Sequence, residues 1–410
     1  MKKVFVFLVL IGIIFITGCG KDNAEGVLKD LTKKINKLNG YTLKGVLEVK
    51  NNNNNYTYDV SVSFMQKDKY KVVLVNQANN HEQVILRNDD GVFVLTPSLN
   101  KSFKFQSDWP YNNSQVYILG SIIDDLNKDN KTTKEEVDGN YVYTSKVNYP
   151  NNNKLTTQKV TVSKDMFIEK VEVLNEEGNV EMIFTINNTD YNPTFDESYF
   201  ELNSIINTKE ENNKENQEKK EESKTTEKKE ETKTTDKKEC DPAKDQDCKK
   251  EDGQNTKQQS NINNNYIVKP ITMTMNGQEE DEKVNKEEKD SKKVASLEDV
   301  VYPLYLPTGT VLKEQEKVSK TDGERVILTF AGDKGFTLVE ETAVKEKEFT
   351  VIPTYGEPGF VGDTVGAITD NSLNWISNGV EYYMVSDVMN TVELLDIANS
   401  INVTAVASLK

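Results

Sequence analysis

Few side chains in this sequence suit catalysis or tight metal binding, because its 410 residues include one histidine and three cysteines. A histidine-dependent hydrolase could use only His81, which lies in a polar stretch beside Asn79 and Glu82. We therefore predict that His81 is exposed at the surface and has no chemical role. The same count excludes zinc sites built on histidines, since such sites need several ligands.

Two of the cysteines, Cys240 and Cys248, lie close together in a polar, charge-rich stretch. Outside the cell they could form a local disulfide, because the short segment between them is flexible enough for the sulfur atoms to meet. Two free thiols without a role explain the sequence equally well. Both alternatives stay open.

Four oxygen-bearing residues have the spacing of a calcium-binding loop, in which alternate side chains surround the ion: Asp125, Asn127, Asp129 and Glu136. The match is partial, because Asn130 stands where that loop needs a glycine and a strand rather than a helix follows. A solvated loop at the end of a helix explains the same residues, and we predict no metal site.

Residues 1–18 have the layout of an export signal, with two lysines, an apolar run and two small residues. The run is shorter than the roughly 20 apolar residues of a membrane-spanning helix. The sequence Ile16-Thr17-Gly18-Cys19 resembles a lipobox. We therefore predict that Cys19 is acylated, and that residues 19–22 tether the chain to the outer face of the plasma membrane. An ordinary signal peptide cut elsewhere is the alternative.

The net charge of −16 makes nucleic acid an unsuitable partner. Residues 208–294 alternate Lys, Glu, Thr, Asn and Gln with almost no aliphatic side chain, a composition that cannot offset the entropy lost on ordering. We predict a long disordered linker, so that the domains on either side, residues 23–207 and 295–410, move independently. One part of the linker, residues 266–275, alternates like a strand and could dock on a sheet edge.

The first domain is predicted to be a long antiparallel meander with two helices. Apolar residues recur on one helical face over residues 23–38, and a second helix is expected over residues 114–126. Elsewhere the apolar period is two, which is typical of strands with one buried face. These strands are expected at 57–64, 70–75, 82–87, 92–96, 102–105, 141–149, 155–163, 167–174 and 180–187.

Three short motifs in this order resemble the family of outer-membrane lipoprotein carriers LolA and LolB. They are an Asp-Gly followed by an apolar strand and Pro97, the alternating segment 101–105, and the aromatic segment 195–202. The resemblance implies a mainly β (α+β) fold, a curved antiparallel half-barrel with covering helices. It also implies that the concave face holds an acyl chain or another hydrophobic ligand.

On this family model we assign the ligand-binding face to one strand and the helix above it. The strand residues are Tyr58, Val60, Val62 and Phe64, and the helix residues are Val116, Leu119, Ile122 and Ile123.

After the linker, a second small α+β domain is predicted. Alternating strands at 310–318, 325–330 and 336–341 precede a Trp375 strand, an Asn-Gly-Val-x-Tyr segment and a final helix from Thr391 to Ile401. Asn390 and Glu393 have the spacing of a capping box at the start of that helix. These features are similar to a small extracytoplasmic family of unknown function, numbered 4367.

The two-domain layout is similar to lipoproteins of sporulation and germination, and more distantly to a regulator of an anti-sigma factor. Our first hypothesis is a binding or accessory protein without catalytic residues or cofactors. Its partner would be an acyl-chain ligand, a peptidoglycan amidase or an anti-sigma factor. The second hypothesis is an enzyme that uses carboxylates alone, but no acidic pair stands out. The third is a purely structural envelope protein.

Overall fold

The computed structural model describes residues 24–51, 54–206, 267–268, 297 and 299–401. We call residues 24–206 the first half and residues 297–401 the second half. The expected mainly β architecture is confirmed, because two open and mostly antiparallel sheets carry the molecule and a few helices cover them. Among the described helices, none is both long and apolar enough to cross a membrane.

The helices and strands are labelled in chain order. The helices are α1 (Ala24–Ile35), α2 (Leu119–Lys128) and α3 (Thr391–Ala398). The strands of the first half are β1 (Gly40–Asn51), β2 (Asn54–Met65), β3 (Lys69–Asn76), β4 (Glu82–Asn88), β5 (Gly91–Thr96), β6 (Lys101–Phe105), β7 (Thr133–Val137), β8 (Asn140–Lys146), β9 (Leu155–Val162), β10 (Ile168–Asn175) and β11 (Val180–Asp190). The later strands are β12 (Ile267–Val268), β13 (Val311–Ser319), β14 (Glu324–Ala331), β15 (Phe336–Thr342), β16 (Thr350–Thr354), β17 (Glu357–Val361), β18 (Thr364–Ile368), β19 (Ser372–Ser377) and β20 (Val380–Val385).

The first sheet is a meander in two runs that meet at β1. One run is β1 to β6 in sequence order, and the other is β11 back to β7, with β1 pairing β11. The β1–β11 ladder shifts register between Lys44 and Gly45. A Cβ atom at Gly45 would lie 2.3 Å from the Thr185 carbonyl oxygen, so only glycine allows this close approach.

Helices α1 and α2 cover one face of the first sheet. The buried residues of α1 are Leu31 and Ile35. Those of α2 are Leu119, Ile122, Ile123 and Leu126. Helix α2 begins at Leu119 rather than at the predicted residue 114, because Ser114 is bonded elsewhere. The Ser114 backbone N–H donates to the Asn148 carbonyl, and the Ser114 hydroxyl accepts the Asn148 N–H.

The second sheet has seven strands in the order β13, β14, β15, β20, β19, β18 and β17, with α3 packed against it. Most of its buried residues form a core of their own, where the Trp375 and Tyr382 rings stack at 4.9 Å. Val365, Ala367 and Ile376 belong instead to the core of the first half. The predicted capping box is confirmed, because the Asn390 side chain accepts the Glu393 N–H and the Glu393 carboxylate accepts the Asn390 N–H.

The two halves do not stand apart as the linker had suggested. Strand β16 of the second half pairs in parallel with β6 at the edge of the first sheet, from Thr350 opposite Lys101 to Thr354 opposite Phe105. Unpaired backbone groups at a sheet edge are a ready template for another strand, which explains this docking. Strand β12 in turn pairs with β16, so the prediction that residues 266–275 dock on a sheet edge is confirmed at Ile267 and Val268.

Candidate functional site

The predicted ligand-binding residues come together, and they lie mainly inside the protein core. Tyr58, Val60 and Val62 on β2 are buried, and Val62 is 0% exposed. Val116, Leu119, Ile122 and Ile123 are buried in the same cluster. Phe64 is partly buried and packs against it. Strand β2 and helix α2 thus contribute to one core, and ligand binding by these residues stays a prediction. Val116, which was predicted on the helix, lies in the turn before α2.

A cavity of about 390 Å³ lies along one face of α2, and we call it the helix cavity. Of the predicted ligand-binding residues, Phe64 lines the helix cavity, and Tyr41 and Tyr70 lie beside it. The three rings form a continuous aromatic wall, because Phe64 lies 5.1 Å from Tyr41 and 4.8 Å from Tyr70 between ring centroids. The Tyr41 hydroxyl accepts the Leu119 N–H and so holds the wall to the start of α2.

Polar groups surround the aromatic wall of the helix cavity. Burial raises the pKa of Asp125 to about 6, against a hydrogen bond from Ser114 that lowers it. The Tyr111 hydroxyl donates to Asp68 at 2.6 Å and lies 3.2 Å from the Tyr70 hydroxyl. The helix cavity therefore combines an apolar wall with a small number of hydrogen-bonding groups, which is typical of ligand pockets.

A second cavity, of about 190 Å³, lies between the two halves, and we call it the junction cavity. Of the predicted ligand-binding residues, Val116 lines the junction cavity. Its apolar lining from the first half includes Val49, Ile85, Val116, Tyr117, Leu155 and Met182. The second half contributes Phe360, Val365, Ile368, Val392 and Leu395.

Two contacts hold the walls of the junction cavity together. Gln83 of β4 is buried, and its side-chain amide donates to the Val365 carbonyl at 2.9 Å and accepts the Val365 N–H at 2.6 Å. At the rim, the Lys154 ammonium lies 2.6 Å from a carboxylate oxygen of Asp396 on α3. The buried amide of Gln83 therefore joins β4 of the first sheet to β18 of the second.

The prediction that His81 is exposed is wrong, because the second half packs beside it. His81 is half-buried, and burial lowers its pKa while the carboxylates of Asp363 and Glu82 oppose that shift. Asp363 accepts hydrogen bonds from Ser377 at 2.6 Å and from Asn79 at 3.4 Å. His81 thus belongs to a polar contact between the halves, which a local polar sequence does not reveal.

The residues with calcium-loop spacing do not form a loop around a common centre. Asp125 lies within α2, and Glu136 is exposed on β7. The Asp129 carboxylate accepts the backbone N–H groups of Lys131 and Lys146, which lowers its pKa. Across the described ranges, no three His, Cys, Asp or Glu side chains are arranged to hold a metal ion. Cys19, Cys240 and Cys248 lie outside the described residues.

Sequence reasoning missed the hairpin β17–β18, which supplies Phe360, Val365 and Ile368 to the junction cavity. The sequence carries a turn signal in Gly362-Asp363. In the structure Gly362 takes the left-handed backbone conformation at that turn, with φ of 60°. The residues around it mix apolar and polar types without a clean period. The hairpin therefore escaped a search for alternation.

Comparisons with known proteins find similarity to one family over the first part of the chain. Residues 1–200 match a family model described as sporulation protein YdcC-like. The chain is also similar to sporulation protein YdcC of Bacillus subtilis (strain 168), with 29% identity over 403 residues that cover 98% of this chain and 97% of that protein.

Structural comparison also finds several solved structures, each with a low TM-score to this chain. The complex of Pseudomonas aeruginosa MucA/MucB is 11% identical, covers 90% of this chain and 98% of its own, and has a TM-score of 0.27. The CwlD amidase of Clostridioides difficile in complex with the GerS lipoprotein gives 21% identity, 43% and 98% coverage and a TM-score of 0.23. A putative outer membrane lipoprotein-sorting protein domain from Vibrio parahaemolyticus gives 14% identity, 45% and 100% coverage and a TM-score of 0.25.

Proposed function

Because residues 1–200 match the YdcC-like sporulation family and nearly the whole chain aligns with one sporulation protein, we propose that this chain is an accessory protein of sporulation. It acts by binding rather than by catalysis, and its ligand is a hydrophobic group such as an acyl chain. The observation that carries this proposal is the helix cavity, with the aromatic wall of Tyr41, Phe64 and Tyr70 beneath α2.

The dimensions of the helix cavity suit such a ligand. Its volume of about 390 Å³ lies within the range of roughly 300 to 1,000 Å³ found for small-molecule pockets. The rings offer apolar surface, and Ser114, Ser121 and Asp125 offer polar contacts for a head group. An acyl chain with a polar end matches both features.

The proposed location is the outer face of the plasma membrane, through a lipid on Cys19. This part of the proposal rests on the signal-like residues 1–18. A chain carrying Cys19→Ser should leave the membrane fraction and enter the soluble fraction. Retention of that variant in the membrane would contradict the lipid anchor and leave the ligand proposal standing.

The ligand proposal is tested on the mature chain with Cys19→Ser, purified gently and examined by native mass spectrometry. A bound lipid mass is expected, together with uptake of a fluorescent fatty acid. Gly120 lines the helix cavity, and a Cβ atom there meets nothing within 4 Å. Gly120→Leu should therefore fill the cavity without a clash and reduce uptake at least tenfold.

The matched control is Gly26→Leu, which places the same side chain on α1. A Cβ atom at Gly26 also meets nothing within 4 Å, and Gly26 does not line the helix cavity. Its uptake should equal that of the parent protein. Equal uptake by both variants, or no uptake by the parent protein, would overturn the assignment of the ligand to the helix cavity.

A protein partner is the second candidate, favoured by an apolar patch on the second half. Leu304 is 73% exposed, and Tyr302 and Tyr305 beside it are 43% and 49% exposed. Contiguous exposed apolar side chains are typical of interaction surfaces. A peptidoglycan amidase and an anti-sigma factor are the partners that the family resemblance implies. The test is to compare partner binding by the parent protein and by the Leu304→Asp variant. If the variant binds a partner as well as the parent protein does, this patch is not the binding surface.

A further inference from the structure

The charges that line the helix cavity restrict the head group of its ligand. We infer that the cavity prefers an apolar chain that ends in a primary ammonium to one that ends in a carboxylate, and that Asp125 makes this distinction. The inference rests on the proposed function, because the ligand and the cavity are the same. It adds a chemical class, a single chain with a cationic end that donates hydrogen bonds.

Among the described residues, three charged side chains line the helix cavity, and all three belong to α2. They are Asp124, Asp125 and Lys128. The Lys128 ammonium lies 3.3 Å from the Asp124 carboxylate, and both of these side chains are mostly exposed. Because this pair balances its own charge, the lining keeps one net negative charge when Asp125 is ionised.

The charge of Asp125 is only weakly compensated by its surroundings. Its Oδ2 atom is buried and has no hydrogen-bond partner among the described residues. Ser114 and Lys128 lower the pKa of Asp125, but burial raises it more strongly, to about 6, and Asp124 adds to that rise. The nearby Tyr149 hydroxyl is uncharged, because burial raises its pKa above the ordinary value. At pH 8 Asp125 is therefore an ionised carboxylate without a full partner.

An ionised carboxylate selects a head group by its hydrogen-bond donors and its charge. Its oxygens only accept hydrogen bonds, whereas an ammonium offers three donors and a positive charge. Hydrogen bonds between charged groups are roughly twice as strong as those between neutral groups. A hydroxyl head group offers one donor without a charge, and a carboxylate offers no donor and is repelled. We therefore expect affinity to fall from ammonium to hydroxyl to carboxylate.

The polar face of α2 and the aromatic wall belong to the same cavity. Ser121 and Asp125 are four residues apart on α2, so they lie on one face of the helix. Both line the helix cavity together with Ser114 and with the rings of the aromatic wall. A chain packed against the rings can thus present its head group to the face that carries Asp125.

The start of α2 has the opposite effect on a charged head group. The first N–H groups of a helix carry a partial positive charge, about half an elementary charge, which favours an anion. Gly120 lines the cavity near that end, although the Leu119 N–H already donates to the Tyr41 hydroxyl. Asp125 lies five residues further, about 7.5 Å along the axis. The full charge of Asp125 should outweigh the partial charge, and the two effects predict opposite preferences.

The experiment is calorimetric titration of the mature chain with Cys19→Ser at pH 8, using octylamine, octanol and octanoate. The three probes share one chain, and octylamine is protonated at this pH, as a lysine side chain is. Octylammonium should bind roughly tenfold or more tightly than octanoate, with octanol between them. Asp125→Asn keeps the shape of the side chain and removes its charge, so it should abolish this preference and leave octanol binding nearly unchanged.

The matched control is Asp30→Asn, which removes the same charge from an exposed position on α1 outside the cavity. Its preference for octylammonium should equal that of the parent protein. Lowering the pH from 8 to 5 should reduce the preference for octylammonium over octanol in the parent protein and not in Asp125→Asn, because Asp125 takes up a proton in that range.

The outcomes separate this inference from the proposed function. Octanoate that binds as tightly as octylammonium, or an equal loss of preference in Asp30→Asn and Asp125→Asn, would overturn the role of Asp125 and leave the apolar ligand standing. Failure of all three probes to bind the parent protein would overturn the proposed ligand and this inference together. Weaker binding of all three probes in Gly120→Leu would support the helix cavity as their site.

Discussion

The helix cavity and the junction cavity differ in how far apart along the chain their walls lie. The helix cavity is lined entirely by residues between Ile35 and Asn148 of the first half. The junction cavity needs Gln83 to meet Val365, a sequence separation of 282 residues. A pocket made within one meander depends on that meander alone, whereas a pocket made by docking can be lost while both halves stay folded.

The largest expected effect comes from a charge in the shared core. Val62 is 0% exposed and lines neither cavity, so Val62→Asp would bury an unpaired carboxylate. The cost should be several kcal/mol, a large part of the roughly 5 to 15 kcal/mol that stabilises a domain. Chemical unfolding followed by circular dichroism should show loss of the first half, and both cavities should disappear together.

The control for this variant is Ser61→Asp on the neighbouring position of β2. Ser61 points to the other face and is opposite Lys44 in the β1–β2 ladder, so its stability should change little. A folded Val62→Asp protein with the parent unfolding midpoint would show that Val62 faces water.

A smaller effect, confined to the junction, is expected for Gln83→Leu. The change removes two hydrogen bonds to Val365 and leaves a buried N–H and carbonyl without partners. Each unsatisfied group costs about 1 to 3 kcal/mol, so docking should weaken by roughly 2 kcal/mol or more. Hydrogen exchange at the Val365 amide should accelerate, while fatty-acid uptake stays unchanged.

Gln77→Leu is the matched control, because Gln77 is exposed and bonds Asp59 within the first half. Its exchange pattern at residues 363–368 should equal that of the parent protein. Slow exchange at Val365 in the Gln83 variant would mean that the strand pairing of β6 with β16 holds the halves together without the amide.

The smallest expected effect is a pH dependence that belongs to the helix cavity. The folded pKa of Asp125, about 6, lies above its ordinary value of 3.8, so the folded state binds a proton more tightly than the unfolded one. Protonated Asp125 therefore adds to the free energy of unfolding. This stabilisation is fully present below pH 4 and is lost as the pH rises through 6. After discounting for partial exposure, we expect about 1 kcal/mol.

Asp125→Asn should remove that decline in the free energy of unfolding between pH 4 and pH 7. Asp129→Asn supplies a contrast of opposite sign, because backbone N–H groups lower the Asp129 pKa and stabilise its charged form. In the parent protein, protonation of Asp129 at low pH should lower the free energy of unfolding. In Asp129→Asn that decrease should be smaller. An unchanged pH profile for Asp125→Asn would show that Asp125 is fully solvated.

Local periodicity explains which parts of the fold could be predicted. Strand β2 was predicted because the apolar residues of Tyr58 to Phe64 alternate cleanly, and α3 because Asn390 and Glu393 cap it. Strand β16 was missed, since Pro353 lacks a backbone N–H and usually argues against a strand. The start of α2 was misplaced because Ser114 bonds to Asn148, a partner far along the chain.

The residues of the two cavities also differ in whether local periodicity could predict them. Phe64 of the helix cavity could be predicted from alternation on one strand. Val116 of the junction cavity was predicted as an apolar residue of the second helix, but it lies in the turn before that helix. Phe360 and Leu395 of the junction cavity could not be predicted, because nothing in their own sequence indicates which surface of the first half they meet. The apolar type of such residues predicts burial, but their partner depends on how two separately formed sheets dock.

The parallel pairing of β16 with β6 also affects how the chain can be synthesised and folded. A growing polypeptide emerges from its N-terminus, and domains generally fold as units during synthesis. Strand β6 is therefore complete long before Thr350 to Thr354 exist, and during that interval its edge is open. An open edge recruits other strands, including those of neighbouring nascent chains. We expect newly made protein to need a chaperone until residues 350–354 are made, and fragments that end before residue 350 to aggregate.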